Sequence, residues 1–349
     1  MTDFAQTKFS VLDLAPVRSD GTIAETFRNT LDLARHAEGW GYTRFWLAEH
    51  HNMPGVASAA TSVLIGYVAG GTSTLRVGSG GIMLPNHASL VIAEHFGTLA
   101  TLYPGRIDLG VGRAPGSDGL TARALRRGLN STEDDFPRQV AELLAFLGPA
   151  TPGQRLQAFP GTGTNVPVWL LGSSLYSAQL AAAMGLPFAF ASHFAPDLLL
   201  PAIQIYRRGF QPSLYLEEPY VMAGVPVVAA ESDAEAKHLA TSPALRHLSL
   251  IRGEPIFVPP PVPSMDGRWS EAERQMVESR LSVAVIGGPE TVQRKLADFL
   301  RQTQVDEIIM TCDVYEHALR LRSFEIAARA MQELKTSNGA AELASPLYA

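Results

Sequence analysis

The chain has 349 residues, 46% of them hydrophobic and 18% charged, with 30 glycines, 24 prolines and a single cysteine. That balance supplies a large core and excludes disorder, coiled coil and collagen; length alone predicts about two domains at roughly 150 residues each, or one α/β barrel. Lys and Arg number 28 against 34 Asp and Glu, a net charge of −6 with no basic run, which argues against nucleic acid and anionic membrane as partners.

The opening MTDFAQTKFS lacks a basic segment followed by an apolar one, so no secretory signal and a cytoplasmic location are expected. From there, short apolar runs alternate with longer segments of helical spacing. The first run, Phe9 to Leu14, precedes a helix with Ile23, Phe27, Leu31 and Ala34 on one face, ending near Gly39 and Gly41. Phe45 to Ala48 reads as strand and Ala59 to Ala69 as helix, then Leu75 to Met83 and Ala88 to Leu102. A fourth strand, Ile107 to Val111, leads into an Arg-, Gly-, Ser- and Asp-rich stretch over 114–135 and a helix from Phe136 to Leu147.

Val166 to Leu171 and Tyr176 to Met184 form the fifth pair, Phe188 to Ser192 and Asp197 to Phe210 the sixth. The most apolar stretch, Leu186 to Ile205, holds His193, Asp197 and three prolines and is no membrane span. Val221 to Ala230 is followed by a helix whose Ser232 and Glu235 fit a capping box. Residues 243–288 carry Pro255, Pro259, Pro260, Pro261 and Pro263, then a short helix opened by Ser270 and Glu273. Glu307 to Thr311 and His317 to about Leu334 close the series, and Cys312 reads as an inert core thiol. Eight such units over 1–349 predict one closed (β/α)8 TIM barrel with loop insertions after strands 4 and 7; a doubly wound open sheet is the alternative.

In a barrel the active site lies where strands end. The second strand ends Glu49-His50-His51-Asn52, polar residues that invite catalysis or binding, although at least one histidine serves equally as a plain loop residue. Adjacent residues in extended chain point to opposite sides, so His50 and His51 do not readily share an ion; with no HExxH present, no metal site is expected. The third strand ends Gly78-Ser79-Gly80-Gly81, glycines that either let a flat ring lie on main chain or mark a bulge. Arg113 among glycines after the fourth strand, and Ser173, Ser174, Tyr176 and Ser177 at a helix start after the fifth, suit a phosphate; a simple Ser N-cap is the competing reading. The Gly110-to-Gly116 run has the wrong spacing for a dinucleotide fingerprint.

AEHHNMPG from Ala48, RVGSGGIMLPNH from Arg76, YPGRIDLGVGRAPG from Tyr103 and GSSLYSAQLAAAMGLPFAFASHF from Gly172 occur in this order. Together they resemble the bacterial luciferase-like monooxygenase family, specifically its relatives with AEHHNMPG, from about Phe9 to the final helix. The resemblance implies a barrel that binds FMN at its C-terminal mouth, usually as a homodimer. It also implies that reduced FMN comes from a partner flavin reductase, and that a flavin hydroperoxide formed with O2 oxygenates a small organic substrate. By motif position His50 matches the catalytic histidine, a proton shuttle, and Glu49 its neighbour near the flavin. Gly80 and Gly81 match a pair joined by a cis peptide beneath the ring. Arg113, Ser174 and Ser177 match phosphate contacts with Ser173 and Tyr176 beside them, and Asn86 lies where a loop residue reaches the ring edge. His193 is a candidate for the substrate side, or else a buried structural histidine. Two departures, Gly112 in place of a reactive cysteine and Ser173 in place of an acidic residue, argue against light emission. Hydride transfer with a deazaflavin, and non-catalytic flavin storage, are the alternative functions.

Overall fold

Strands that are apolar on both faces need cover on both, and this chain provides it by following each with a helix. The computed structural model describes residues 4–114, 119–125 and 135–343. Its strands are β1 (Lys8–Asp13), β2 (Arg44–Leu47), β3 (Arg76–Met83), β4 (Ile107–Gly112), β5 (Val168–Gly172), β6 (Phe188–Phe190), β7 (Val221–Ala229), β8 (Val285–Gly287) and β9 (Glu307–Thr311). Each of β1 to β7 pairs in parallel with the next, and β9 pairs with both β7 and β1, which closes an eight-stranded barrel. The expected TIM barrel is therefore present, and the open sheet is excluded.

The ninth strand is a correction to the expected count. Only three residues long, β8 lies inside the 243–288 insertion and pairs with Val227 to Ala229, where β7 runs past the barrel rim. A three-residue apolar run carries too little period to be separated from loop. That insertion is more ordered than a loop, holding α9 (Thr241–Arg252) and α10 (Glu271–Arg280) after α8 (Asp233–Leu239). The capping box expected at Ser232 is half formed: Ser232 accepts from Glu235 N, but the Glu235 carboxylate turns to Glu231 N. The one at Ser270 and Glu273 is complete.

The remaining helices are α1 (Ile23–Gly39), α2 (Thr61–Gly70), α3 (Ser89–Leu102), α4 (Gly119–Leu125), α5 (Phe136–Leu147), α6 (Leu175–Met184), α7 (Leu199–Gly209), α11 (Pro289–Thr303) and α12 (His317–Leu343). Of the 114–135 insertion, Ala114, α4 and Asp135 fall within the described residues. The helix α11 went unassigned in the sequence, although Pro289 at its first turn and buried Val292, Leu296, Ala297 and Leu300 carry the signal. No helix among the described residues is long and apolar enough to cross a membrane.

The main core fills the space between barrel and helices, with Phe45, Phe96, Phe188, Tyr206 and Phe324 fully buried. Cys312 lies in it, its thiol pushed up by burial and so poorly reactive. Inside the barrel a second cluster of Leu12, Trp46, Trp169, Met222 and Ile309 forms a plug, with the two indoles edge to face at 5.2 Å. Below it, at the N-terminal ends of the strands, lies a buried ionic layer. Arg44 bridges Asp108 at 2.8 Å and Glu307 at 2.9 Å, and its guanidinium sits 4.8 Å over the Trp169 ring. Trp46 Nε1 donates to Asp108 at 3.2 Å, Tyr220 OH and Ser10 Oγ donate to Glu307, and Arg76 pairs with Asp108.

Candidate active site

Gly78 and Ser79 pair with Asp108 and Leu109 lower in the barrel, and the other strand-end residues singled out above lie at the opposite, C-terminal mouth. There a cavity of about 300 Å³ is bounded by His50, Gly80, Gly81, Arg113, Ser173, Ser174, Ser177 and His193, over the apolar plug of Leu12, Trp46 and Ile309. Residues from the ends of β2, β3, β4, β5 and β6 thus converge on one chamber. Glu49, Asn86 and Tyr176 do not border it.

The mouth of β3 explains its glycines. The Gly80–Gly81 peptide is cis, as the resemblance implied, and the β3–β4 register shifts between Ser79 and Ile82. A Cβ on Gly81 would lie 2.7 Å from Gly110 O, and one on Gly110 only 2.2 Å from Ser79 O. The two backbones approach too closely for side chains, so the bulge and the bare chamber wall are a single feature.

On the β4–β5 side the groups are donors. The Arg113 guanidinium stacks 4.2 Å from the Tyr176 ring centroid, so Tyr176 orients the arginine from behind. Ser174 occupies the N-cap of α6 in extended conformation, yet its side chain makes no capping hydrogen bond. The first amides of α6 are therefore not taken by that hydroxyl, and the simple N-cap reading fails here. Ser177 Oγ donates to Ser174 O at 2.7 Å and packs against Gly172, where a Cβ would come within 2.1 Å of it. Arginine, serine hydroxyls and a helix N-terminus together suit a dianionic group, and the apolar chamber beside them suits a ring. The residues present fit a phosphate-bearing flavin.

Glu49 is buried beneath this mouth, where it ties three segments together. Its carboxylate accepts from His51 Nε2 at 2.7 Å, His87 Nε2 at 2.8 Å and Met83 N at 3.2 Å. Burial pushes its carboxyl up, but those bonds and the charge of the two rings outweigh it and hold the group below the usual carboxylate range. The ligand atoms of Glu49, His51 and His87 lie within 4.8 Å of one another, a spacing a divalent ion accepts. The sequence reading weighed His50 with His51 and missed His87, which only the β2–β3 pairing brings near.

A second, smaller chamber of about 110 Å³ adjoins the first through Leu14, His50, His193 and Phe194. Its outer wall is the insertion: Pro243, His247 and Leu250 from α9, then Ile256, Leu281 and Ile286. Arg246 fastens that wall, pairing with Asp313 at 2.6 Å and donating to Ile256 O at 2.8 Å. Gly55, the last residue of the AEHHNMPG motif, has φ +102° and would place a Cβ 2.3 Å from the Ile256 carbonyl. Ile256 N completes the seam by donating to Pro54 O at 3.0 Å. Neither Arg246, His247 nor Asp313 carried a sequence signal, since each acts through contacts distant in the chain.

The sequence profile of the family described as luciferase-like monooxygenase matches residues 7–307. A Bacillus subtilis protein, YvbT, is 59% identical over 323 residues, covering 92% of this chain and 96% of that protein. An Escherichia coli luciferase-like monooxygenase is 54% identical over 326 residues, covering 93% and 97%. Among solved structures, apo-MsnO8 superposes with a TM-score of 0.84 at 33% identity, covering 93% of this chain and 98% of that one. The same fold at 15% identity (TM-score 0.69) occurs in the oxygenating constituent of 3,6-diketocamphane monooxygenase from Pseudomonas putida, in complex with FMN. At 14% identity (TM-score 0.63) it occurs in an F420-dependent secondary alcohol dehydrogenase.

Proposed function

The chain belongs to the luciferase-like monooxygenase family, and on that basis we propose that it is an FMN-dependent monooxygenase acting on a small organic substrate with O2. The observation that carries this reading is the single chamber shared by His50, the Gly80–Gly81 wall, Arg113 and the serine turn. Reduced FMN is the co-substrate, supplied by a separate flavin reductase in the cytoplasm. When bound, it provides the electrons that activate oxygen.

The chain's own residues do the rest. Arg113, Ser173, Ser174 and the α6 amides hold the phosphate, with Ser177 bracing the turn and Tyr176 steadying the arginine. The β3 main chain faces the ring, Glu49 fixes the β2 and β3 mouths, and Asn86 lies buried in the turn that follows β3. His50 borders both chambers, so its imidazole stands where a proton can pass between cofactor and substrate sides. His193 borders both as well and serves the substrate. The F420-dependent fold relative supports a second reading, hydride transfer with a deazaflavin. Competition between FMN and a deazaflavin in equilibrium binding separates the two.

Arg113→Met is expected to weaken FMN about 30- to 100-fold, the worth of a lost charge-assisted contact, while leaving riboflavin affinity unchanged. Fluorescence titration with both flavins reads this, and equal losses for the two would remove the phosphate assignment.

The homodimer implied by the resemblance has a candidate face. Val63 and Tyr67 on α2 and Val91 and Leu102 on α3 are exposed, on neighbouring helices joined by Ser62 Oγ and His95 Nδ1 at 3.3 Å. These exposed apolar side chains on adjacent helices need cover, and we assign it to a second copy. Val63→Glu combined with Val91→Glu should halve the mass seen in sedimentation; an unmodified chain that already sediments as a monomer refutes the assignment.

A further inference from the structure

His193 stands where the two chambers meet, and the structure makes unusual provision for it. Its Nδ1 is buried with no hydrogen-bond partner. The ring is wedged against β7 at Gly224, where a Cβ would fall 2.3 Å from Nδ1 and 3.0 Å from Cε1. Any side chain at 224 would therefore evict the imidazole. The chain just before it is pinned by Ser192 Oγ, which donates to Gly224 O at 2.6 Å, and Phe194 packs on the ring at 4.4 Å between centroids. Unsatisfied buried nitrogens are uncommon and call for a reason. Here the sealed Nδ1 leaves Nε2 as the ring nitrogen with access to the chambers.

The other uncharged polar side chains that border the smaller chamber are His50, His247 and Thr311. The charges that border it, Arg246 and Asp313, are spent on one another at 2.6 Å. Val227, Leu250 and Ile286 supply apolar wall. Its volume of about 110 Å³ gives room for at least roughly four atoms of water size.

We propose that this chamber selects compact, uncharged, largely apolar substrates bearing one hydrogen-bonding heteroatom, which His193 Nε2 holds, and that Gly224 determines specificity by seating the ring. The inference rests on the larger chamber being the flavin site. Burial pushes the His193 imidazole down to about 4, with Asp313 opposing and His247 and His50 adding to the fall. The ring is thus neutral at pH 7, with one N–H and one lone pair. It can donate to a carbonyl or accept from a hydroxyl, but it offers no positive charge to a carboxylate. An ionised substrate would lose its hydration here and gain no counter-charge.

The test is ligand-observed NMR with 2-butanone and with butyrate, a probe of similar size that carries a charge, on the FMN-loaded and the flavin-free protein. Saturable butanone binding and at least tenfold weaker butyrate binding are expected. Gly224→Ala and His193→Phe should each weaken butanone at least fivefold; the second fills the ring's volume, so a loss there is not one of packing. Thermal unfolding checks that both variants fold. Butyrate binding as well as butanone, no saturable butanone binding, or His193→Phe leaving butanone unaffected overturns the proposal. FMN titration of the unmodified protein is the separate arm. Absent FMN binding alongside His193-dependent butanone binding would discard the cofactor reading alone, and normal FMN binding without that dependence would discard this one alone.

Discussion

His50→Ala is expected to lower kcat for small ketone substrates by about 10²- to 10⁴-fold, the range for a lost proton-transfer group, with reduced FMN affinity held within about threefold. The reason is positional. The imidazole borders both chambers, whereas the donors that suit the phosphate come from β4, β5 and α6, on another part of the rim. Removing the ring deletes a proton carrier and leaves the anion site whole. Single-turnover product yield should fall with kcat, because the lost step lies in the chemistry rather than in flavin capture. Unchanged rate and yield would instead remove His50 from the chemistry, product formation absent from the unmodified protein as well would favour flavin storage, and an FMN affinity that collapsed with kcat would make His50 a binding residue.

The second large effect is on stability. Arg44→Met is expected to destabilise the fold by about 3–5 kcal/mol, because it strands two buried carboxylates, Asp108 and Glu307, that now share one guanidinium. Arg76 still pairs with Asp108, so Glu307 suffers most, left with the hydroxyls of Tyr220 and Ser10. At an unfolding entropy of about 2.1 cal/mol/K per residue, the melting temperature should drop by roughly 4–7 °C. A variant that melts with the parent at pH 7 would show that the layer is not held by Arg44. FMN affinity should survive, since this layer lies at the far end of the barrel from the mouth.

The barrel was legible because each of its strands is a nearly continuous apolar run, the mark of burial on both faces. The mouth was legible for a related reason: closure brings strand ends together, so His50, Gly80, Arg113 and Ser174 can be grouped by their place at strand ends alone. What escaped depends on register and long-range contact. Arg44 and Glu307 sit 263 positions apart, and neither neighbourhood hints at the other. Glu49 looked like a partner of the chamber, but its side chain turns away to His51 and His87. Gly224 reads as an ordinary small residue within β7 until the His193 ring is placed beside it. The helix α11 is a different kind of omission, since its buried positions follow helical spacing and needed only to be counted.

The seam at Gly55 bears on how this enzyme can be altered. The wall of the smaller chamber is footed on residues outside its own segment: Ile256 N on Pro54 O, Arg246 on Gly55 O, and Val258 N on Val17 O. A φ of +102° at Gly55, and the 2.3 Å at which a Cβ there would meet the Ile256 carbonyl, leave that joint no tolerance for another residue. Grafting 241–288 from a relative would therefore carry over only part of the structure that shapes the pocket. The transplantable module is discontinuous, made of the wall, the turn after β2 and the stretch after β1, and these pieces must be exchanged, or drift through evolution, as a set.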